Sequence, residues 1–380
     1  MRPSEGLPPG SLDASQAAER ARAVADDVLW PAAQRTDRAP LVPVSNLEAL
    51  RDAGLFGLQG PRDVAGGLGA THAEARAVFE AVAGGCGATA FVWAQHHGAV
   101  RRVAGGDGPA RDVWLPRLCD GSTLAGIGFA YLRRPGTAAV RATPTRSGWR
   151  IDGETPWITG WGLIDVLVLM ARAGDGSVVT AMIDRPLEHP ALEASEPQAL
   201  AVMGSTGTVT LAVGGLEVTE REVVGVQTDE AWRRRDRAGS ALPAAAPLGI
   251  AARAIGQLHE RAHDRPLAPA ASALADELDT RRTAADRVAA TVTEAMAGHD
   301  DAGLETALAE GAAERDRGLD LARRATDALI SATGGRAMSL DHPAQRLSRE
   351  VSFYLIQAQT GELRAASLAR LAGPLTPDPA

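Results

Sequence analysis

Gly148-Trp149-Arg150-Ile151-Asp152-Gly153-Glu154-Thr155-Pro156-Trp157-Ile158-Thr159-Gly160 is the stretch that decides how the rest of the chain is organised. Trp149 and Ile151 alternate with polar neighbours, which is the period of a half-buried strand. Asp152-Gly153 is a two-residue hairpin signal, so the stretch reads as two strands joined by a tight turn. Val166-Leu167-Val168-Leu169-Met170 then supplies a fully apolar run of strand length. Trp157 and Thr159 place an aromatic plane and a hydroxyl two residues apart. On one strand face, such a pair could stack on a flat heterocycle and hydrogen-bond to it. The alternative is a buried tryptophan beside an ordinary strand threonine.

Working outward, strand signals recur at residues 124–131, 138–142, 149–155, 166–171, 177–183, 208–213 and 216–218. Turn residues separate them at short intervals, which predicts an antiparallel sandwich or barrel. Strand and helix do not alternate, so a parallel nucleotide-binding sheet is not expected. Before this region the signals are all helical. Thr71-His72-Ala73-Glu74 is a capping box, and residues 88–103 read as a helix buried on most sides. After it come helical patterns at 242–263, 266–297, 304–333 and 344–371, with stripes at four-helix-bundle spacing. The predicted fold class is α+β multidomain. It has an N-terminal α-helical domain (1–121), a β-domain (122–228) and a C-terminal four-helix bundle (229–380).

Composition narrows the class further. The chain has 380 residues, 45% of them hydrophobic, a net charge of −8 and a pI near 5.6. An acidic chain whose arginines are interleaved with Asp and Glu is not expected to bind nucleic acid. Cys86 and Cys119 have no CxxC spacing, so neither a disulfide framework nor a metal site is predicted. No uncharged apolar run reaches the ~18 residues of a membrane span. The N-terminus lacks a signal-peptide core, and a reducing cytoplasm is the expected compartment.

Several short motifs, in order and over nearly the whole length, resemble the acyl-CoA dehydrogenase family. They are Ala53-Gly54-Leu55-Phe56-Gly57-Leu58 with Gly66-Gly67, Trp114-Leu115-Pro116-Arg117-Leu118 before Gly121, and Asp152-Gly153 through Trp157-Ile158-Thr159. Val223-Val224-Gly225, Gly334-Gly335 and His342-Pro343-Ala344-Gln345-Arg346-Leu347-Ser348-Arg349-Glu350 complete the set. The resemblance implies an FAD enzyme, homodimeric or homotetrameric, with the flavin between the β-domain and the bundle. Trp157 and Thr159 would contact the isoalloxazine. The backbone at Phe129, Tyr131 and Leu132 would face its pyrimidine edge. Gly334 and Gly335 would meet the adenine half of a neighbouring subunit's FAD. Thr137 and Arg261 would stand where phosphate-binding groups lie, and Thr360 closes the cofactor set.

The departures concern the chemistry. The family's usual base is a glutamate in the last helix, and Ala358 stands at that position. An earlier bundle position used by some members falls near Gly239-Ser240, which has no carboxylate. Abstracting an α-proton beside a thioester needs a positioned base. Glu362, a turn further on, reads as structural. Flavin monooxygenases built on the same fold need no such glutamate, and a histidine near the flavin serves some of them. His96-His97 therefore offers a candidate, His96. Adjacent helical residues point about 100° apart, so at most one of the pair faces a site. The alternative for His96 is a hydrogen-bonded core histidine.

Three functions remain. The first is an FAD-dependent oxidoreductase acting on an acyl thioester or related small molecule. The second is a monooxygenase using reduced flavin exchanged with a flavin reductase. The third is a flavin-free, non-redox descendant of the fold.

Overall fold

The computed structural model describes residues 14–372 apart from 135, 137, 243–244 and 262–266. Six helices open the chain: α1 (Ala14–Val24), α2 (Trp30–Arg38), α3 (Val44–Asp52), α4 (His72–Gly85), α5 (Gly87–Ala104) and α6 (Ala110–Cys119). The capping box forms as the sequence predicts. The Thr71 hydroxyl accepts from the Glu74 N–H, and the Glu74 carboxylate accepts from the Thr71 N–H at 2.8 Å. Trp93, His97 and Val100 on α5 are fully buried, so this helix is the centre of its layer.

Eight strands follow: β1 (Ala125–Gly128), β2 (Val140–Pro144), β3 (Gly148–Ile158), β4 (Val166–Ala173), β5 (Val178–Asp184), β6 (Leu192–Ala194), β7 (Val209–Thr219) and β8 (Val223–Gln227). They form one sheet in the order β6-β7-β3-β2-β4-β5-β8, with β1 on β4. Most pairs are antiparallel, as expected. β1 and β2, however, both run parallel to β4, so the sheet is mixed. β4 can be central because Val166 to Ala171 are all fully buried, which is the continuous apolar run that a strand covered on both faces requires.

The expected hairpin at Asp152-Gly153 does not form, and β3 runs straight through it. Its register against β7 shifts between Ile151 and Gly153 because Asp152 alone faces both Gly214 and Gly215, so the β-bulge lies in β7 opposite the dipeptide. Asp152 Oδ1 accepts from the Gly215 N–H at 2.7 Å. Gly153 has φ 143°, and a Cβ there would lie 2.0 Å from the Ala139 carbonyl oxygen. The dipeptide chemistry that suits a tight turn also suits a place opposite a bulge, where Asp152 ties down the bulged strand. The actual turn between β2 and β3 closes at Thr145, whose N–H donates to the Gly148 carbonyl.

The C-terminal part holds α7 (Asp229–Ala241), α8 (Ala245–Glu260), α9 (Leu267–Gly298), α10 (Asp301–Thr333), α11 (Pro343–Phe353) and α12 (Gly361–Ala372). Helix α10 is the hub, touching α7, α8, α9, α11 and α12. Two features depart from the predicted bundle. α7 is an additional helix, and the last helix is broken at residues 354–360. A window within Asp229–Glu260 has the length and mean hydropathy (1.2) of a membrane span, but 60% of it is buried against the protein, as in a core helix. The motif pair Arg346 and Glu350 forms a buried ion pair at 2.7 Å. Glu350 also accepts from the Gly87 N–H, tying α11 to the start of α5.

Candidate functional site

β3 ends in a second irregularity, between Thr155 and Ile158. There Trp157 takes φ 69°, a left-handed conformation that costs a bulky residue roughly 1–3 kcal/mol. The distortion turns Ile158 inward and leaves Trp157 50% exposed. Ile158 packs on Gly128, where an added Cβ would sit 2.7 Å from its Cδ1. The end of β3 therefore lies against the segment after β1. Trp157 and Thr159 do not share a regular strand face, because the distortion aims the indole separately.

Thr159 is buried and belongs to a chain of hydroxyls. Its Oγ1 is 3.1 Å from that of Thr208, which is 2.8 Å from that of Thr206, and Thr206 donates to the Met203 carbonyl at 2.7 Å. Each hydroxyl has one proton. Thr206 gives its proton to Met203, so Thr208 must donate to Thr206, and Thr159 to Thr208. Toward anything else Thr159 is left as an acceptor.

The segment after β1 is a short 3-10 turn, Ala130–Arg133, where the sequence predicted strand to residue 131. Tyr131 fixes it: the buried phenol lies between the carbonyls of Met170 and Gly128, and burial pushes its pKa up. Leu132 is buried, and its carbonyl accepts from Arg172. Arg133 grips Asp236 on α7 with two bonds of 2.7 and 2.9 Å and donates a third to Ser240 Oγ at 3.0 Å. Arg102, on α5, reaches within 3.8 Å of the same carboxylate. The Phe129 ring has Arg102 at 5.3 Å and Arg133 at 5.1 Å from its centroid.

Ala358 lies in the break between α11 and α12 with φ 53°. Arg315 of α10 holds this break by donating to the carbonyls of Tyr354 (3.3 Å) and Gln357 (2.5 Å). Thr360 caps α12 by accepting from the Leu363 N–H at 3.2 Å. Thr360, Ser240, Leu308, Ala312 and Leu363 line a cleft of about 610 Å³ between α7, α10 and α12, with Arg237 and Arg370 at its rim. Asp236, the carboxylate one helical turn from Ser240, is committed to Arg133. A second hollow of about 440 Å³ lies among α1, α4, α8 and α9, where Glu80 already serves Arg76 and Arg282.

The remaining candidates sit elsewhere. His96 is fully buried. Its Nδ1 accepts from the Ala125 N–H at 3.2 Å, so Nε2 carries the proton and faces the Leu118 carbonyl at 3.1 Å. Burial pushes its pKa down to about 4. This is the geometry of a hydrogen-bonded core histidine. Arg261 donates to the Gln257 carbonyl and lies 3.4 Å from His342. Gly334 (φ 69°) and Gly335 are exposed, with nothing within 4 Å of a Cβ at either, so their backbone is open to approach. Thr137 lies outside the described residues. No group of three metal-ligating side chains occurs among the described residues. Arg102, Asp236 and Arg315 were missed at the sequence level. Each is one charge among many on a charged helix, and only the fold brings them together.

The residues present fit the ring half of a flavin. Trp157 offers an exposed aromatic plane, and Thr159 offers an oxygen that accepts. The phosphate half is thinner, because Arg261 is turned onto its own helix.

Residues 12–122 match the family described as "Acyl-CoA dehydrogenase, N-terminal domain". A 3-sulfinopropanoyl-CoA desulfinase of Variovorax paradoxus is 30% identical over 169 residues, 42% of this chain; the match spans only 41% of that relative. Among solved structures, dibenzothiophene monooxygenase (TdsC) from Paenibacillus sp. A11-2 is similar with a TM-score of 0.76 at 18% identity, covering 96% of this chain and 99% of that one. Butyryl-CoA dehydrogenase from Megasphaera elsdenii is similar with a TM-score of 0.75 at 18% identity, covering 95% and 98%.

Proposed function

We propose that this chain, which has the acyl-CoA dehydrogenase superfamily fold, is a flavin-dependent oxidoreductase that holds FAD against the end of β3 and acts on a small molecule. The observation that carries this proposal is Trp157, a half-exposed indole held at φ 69° one residue from a turn-packed isoleucine. A strained exposed aromatic persists where its surroundings over-determine it, and such sites are commonly functional. When bound, the flavin supplies two-electron chemistry. The chain's own part is to stack the ring on Trp157, accept a hydrogen bond at Thr159 and exclude water with Ile158 and Leu132.

The site favours one branch of that chemistry. Ala358 and Gly239-Ser240 provide no base, and Asp236 is held by Arg133. Proton abstraction beside a thioester therefore lacks its usual agent. A monooxygenase using reduced flavin from a separate reductase needs no such carboxylate, and we favour it over acyl-thioester dehydrogenation.

The test is flavin titration followed by flavin fluorescence, with Trp157→Ala as the variant. Binding by the native chain, weakened roughly three- to tenfold in the variant, supports the proposal; an aromatic stacking contact of about 0.5–1.5 kcal/mol is that large. No binding of either FAD or FMN by the native chain would sink it. Turnover that requires O₂ and a reductase supports the monooxygenase branch, whereas anaerobic bleaching by an acyl-CoA supports the dehydrogenase.

A further inference from the structure

The charged side chains that line the cleft of about 610 Å³ between α7, α10 and α12 are already paired. Arg237 grips Glu305 with bonds of 2.6 and 2.8 Å and stands 3.4 Å from Glu362. Asp316, 5% exposed, holds Arg370 at 3.2 Å and accepts from the Ser367 hydroxyl at 2.8 Å. Arg317 turns to Glu314 at 3.2 Å. The guanidinium and carboxylate groups balance, and no charge is left over for a ligand. An ionic group brought in from water would lose its hydration with no counter-charge to replace it.

Between these pairs the wall is apolar and low. Leu308, Ala309, Ala312 and Ala313 recur at three- and four-residue steps on one face of α10, and Leu363 and Ala366 line the cleft from α12. Ser240 is the polar group of this wall that matters most. It is 5% exposed, and its Oγ accepts from the Arg133 guanidinium at 3.0 Å. A hydroxyl has one proton, and among the described residues nothing accepts that of Ser240. A cation on its lone pair polarises the O–H and makes it a stronger donor. Thr360, the other hydroxyl of the lining, is less buried and bonds only a neutral backbone N–H. Arg133 belongs to the turn after β1, so the Ser240 end of the cleft adjoins the turn set against the proposed ring.

We propose that this cleft takes an uncharged, mainly apolar small molecule carrying a hydrogen-bond acceptor such as a carbonyl oxygen, and that Ser240 donates to that acceptor. The proposal rests on the oxidoreductase reading, with this cleft as its substrate space. It makes Ser240 a specificity-determining residue, with Arg133 polarising it from behind.

The test uses the full chain and probes of similar size: acetophenone, ethylbenzene, benzoate and benzylammonium. Each is titrated calorimetrically at constant ionic strength, with and without saturating FAD. Acetophenone should bind, and the two ions should bind about tenfold more weakly or less. Ser240→Ala should weaken acetophenone about fivefold, the worth of one hydrogen bond, and leave ethylbenzene unchanged. Ser240→Thr, which keeps the hydroxyl, should retain most of the acetophenone affinity. A merely structural Ser240 would move acetophenone and ethylbenzene alike. Ala312→Phe fills the cleft and should abolish binding of both, which keeps the test decisive if Ser240→Ala does not fold. No binding of acetophenone, an ion bound as tightly as acetophenone, equal effects of Ser240→Ala on acetophenone and ethylbenzene, or full binding in Ala312→Phe overturns the proposal. Acetophenone bound as expected by a chain that takes up no FAD would sink the flavoenzyme proposal and leave the cleft standing; FAD bound without acetophenone would do the reverse.

Discussion

At the scale of single residues, the hydroxyl chain at Thr159 has a thermodynamic consequence. The N5 atom of an oxidised flavin accepts hydrogen bonds, and that of a reduced flavin donates one. A Thr159 oxygen that can only accept therefore favours the reduced ring. Thr208→Val frees the Thr159 proton and should lower the midpoint potential of bound flavin by roughly 20 mV, taking one hydrogen bond as about 1 kcal/mol and 30 mV as about 1.4 kcal/mol for two electrons. Spectroelectrochemical titration would read it, and a rise in potential would refute the donor order. The histidine pair makes a separate prediction. His96 titrates near 4 when folded, against ~6.5 in the unfolded chain, and burial holds His97 well below its ordinary value too. Between those values the unfolded chain takes up protons that the folded one refuses. Stability is thus full above about pH 6.5 and falls as pH drops toward 4. His97 packs its ring 4.3 Å from Trp93 and 5.4 Å from Phe79, and its ring nitrogens make no well-formed hydrogen bond, the Leu55 backbone being the one polar group that offsets its burial. His97→Phe should raise stability by about 1 kcal/mol or more and flatten the loss between pH 6.5 and 4, as read by Tm against pH.

At the scale of elements, the stretch of β3 opposite the β7 bulge can be tested directly. Gly153→Ala puts a Cβ into the Ala139 carbonyl at φ 143° and should cost about 2 kcal/mol or more in urea unfolding. In an open hairpin turn the same variant would meet only the positive-φ penalty of about 1 kcal/mol, without the Ala139 clash, so a larger loss marks the strand. This residue also shows where sequence reading stops. The periodicity of Trp149 and Ile151 located the strand, and the capping box at Thr71 located α4. Asp-Gly, however, is equally at home in a turn or in a strand opposite a bulge, and only pairing with β7 decides between them. Helix α7 escaped notice because Arg233 to Arg237 is a charged run with no apolar stripe. It is held instead by ion pairs such as Arg172–Asp229, Arg133–Asp236 and Arg237–Glu305, and by buried Trp232. The place of Ala358 rests on the family resemblance, whereas the break around it depends on Arg315, more than forty residues earlier.

At the scale of the whole molecule, the order of helical, sheet and helical parts was legible because each part has its own hydrophobic period. The contents of the site were not, since Arg102, Arg133, Asp236 and Arg315 come from all three parts. Met338 (62% exposed) and Leu340 (59%) stand beside the open Gly334-Gly335 turn. If a second copy packs there, as the sequence resemblance implies, Met338→Asp should convert the assembly to monomer in analytical ultracentrifugation and weaken FAD binding about tenfold. A monomeric native chain would refute this. The break at Ala358 has one more consequence. Its left-handed backbone is maintained by a guanidinium on a different helix, so the identity of residue 358 is uncoupled from the shape of its surroundings. The position is a socket for unbranched side chains: one of these exchanged there by mutation meets a turn already held from outside, at the left-handed cost that Ala358 bears now, while a β-branched side chain would strain it.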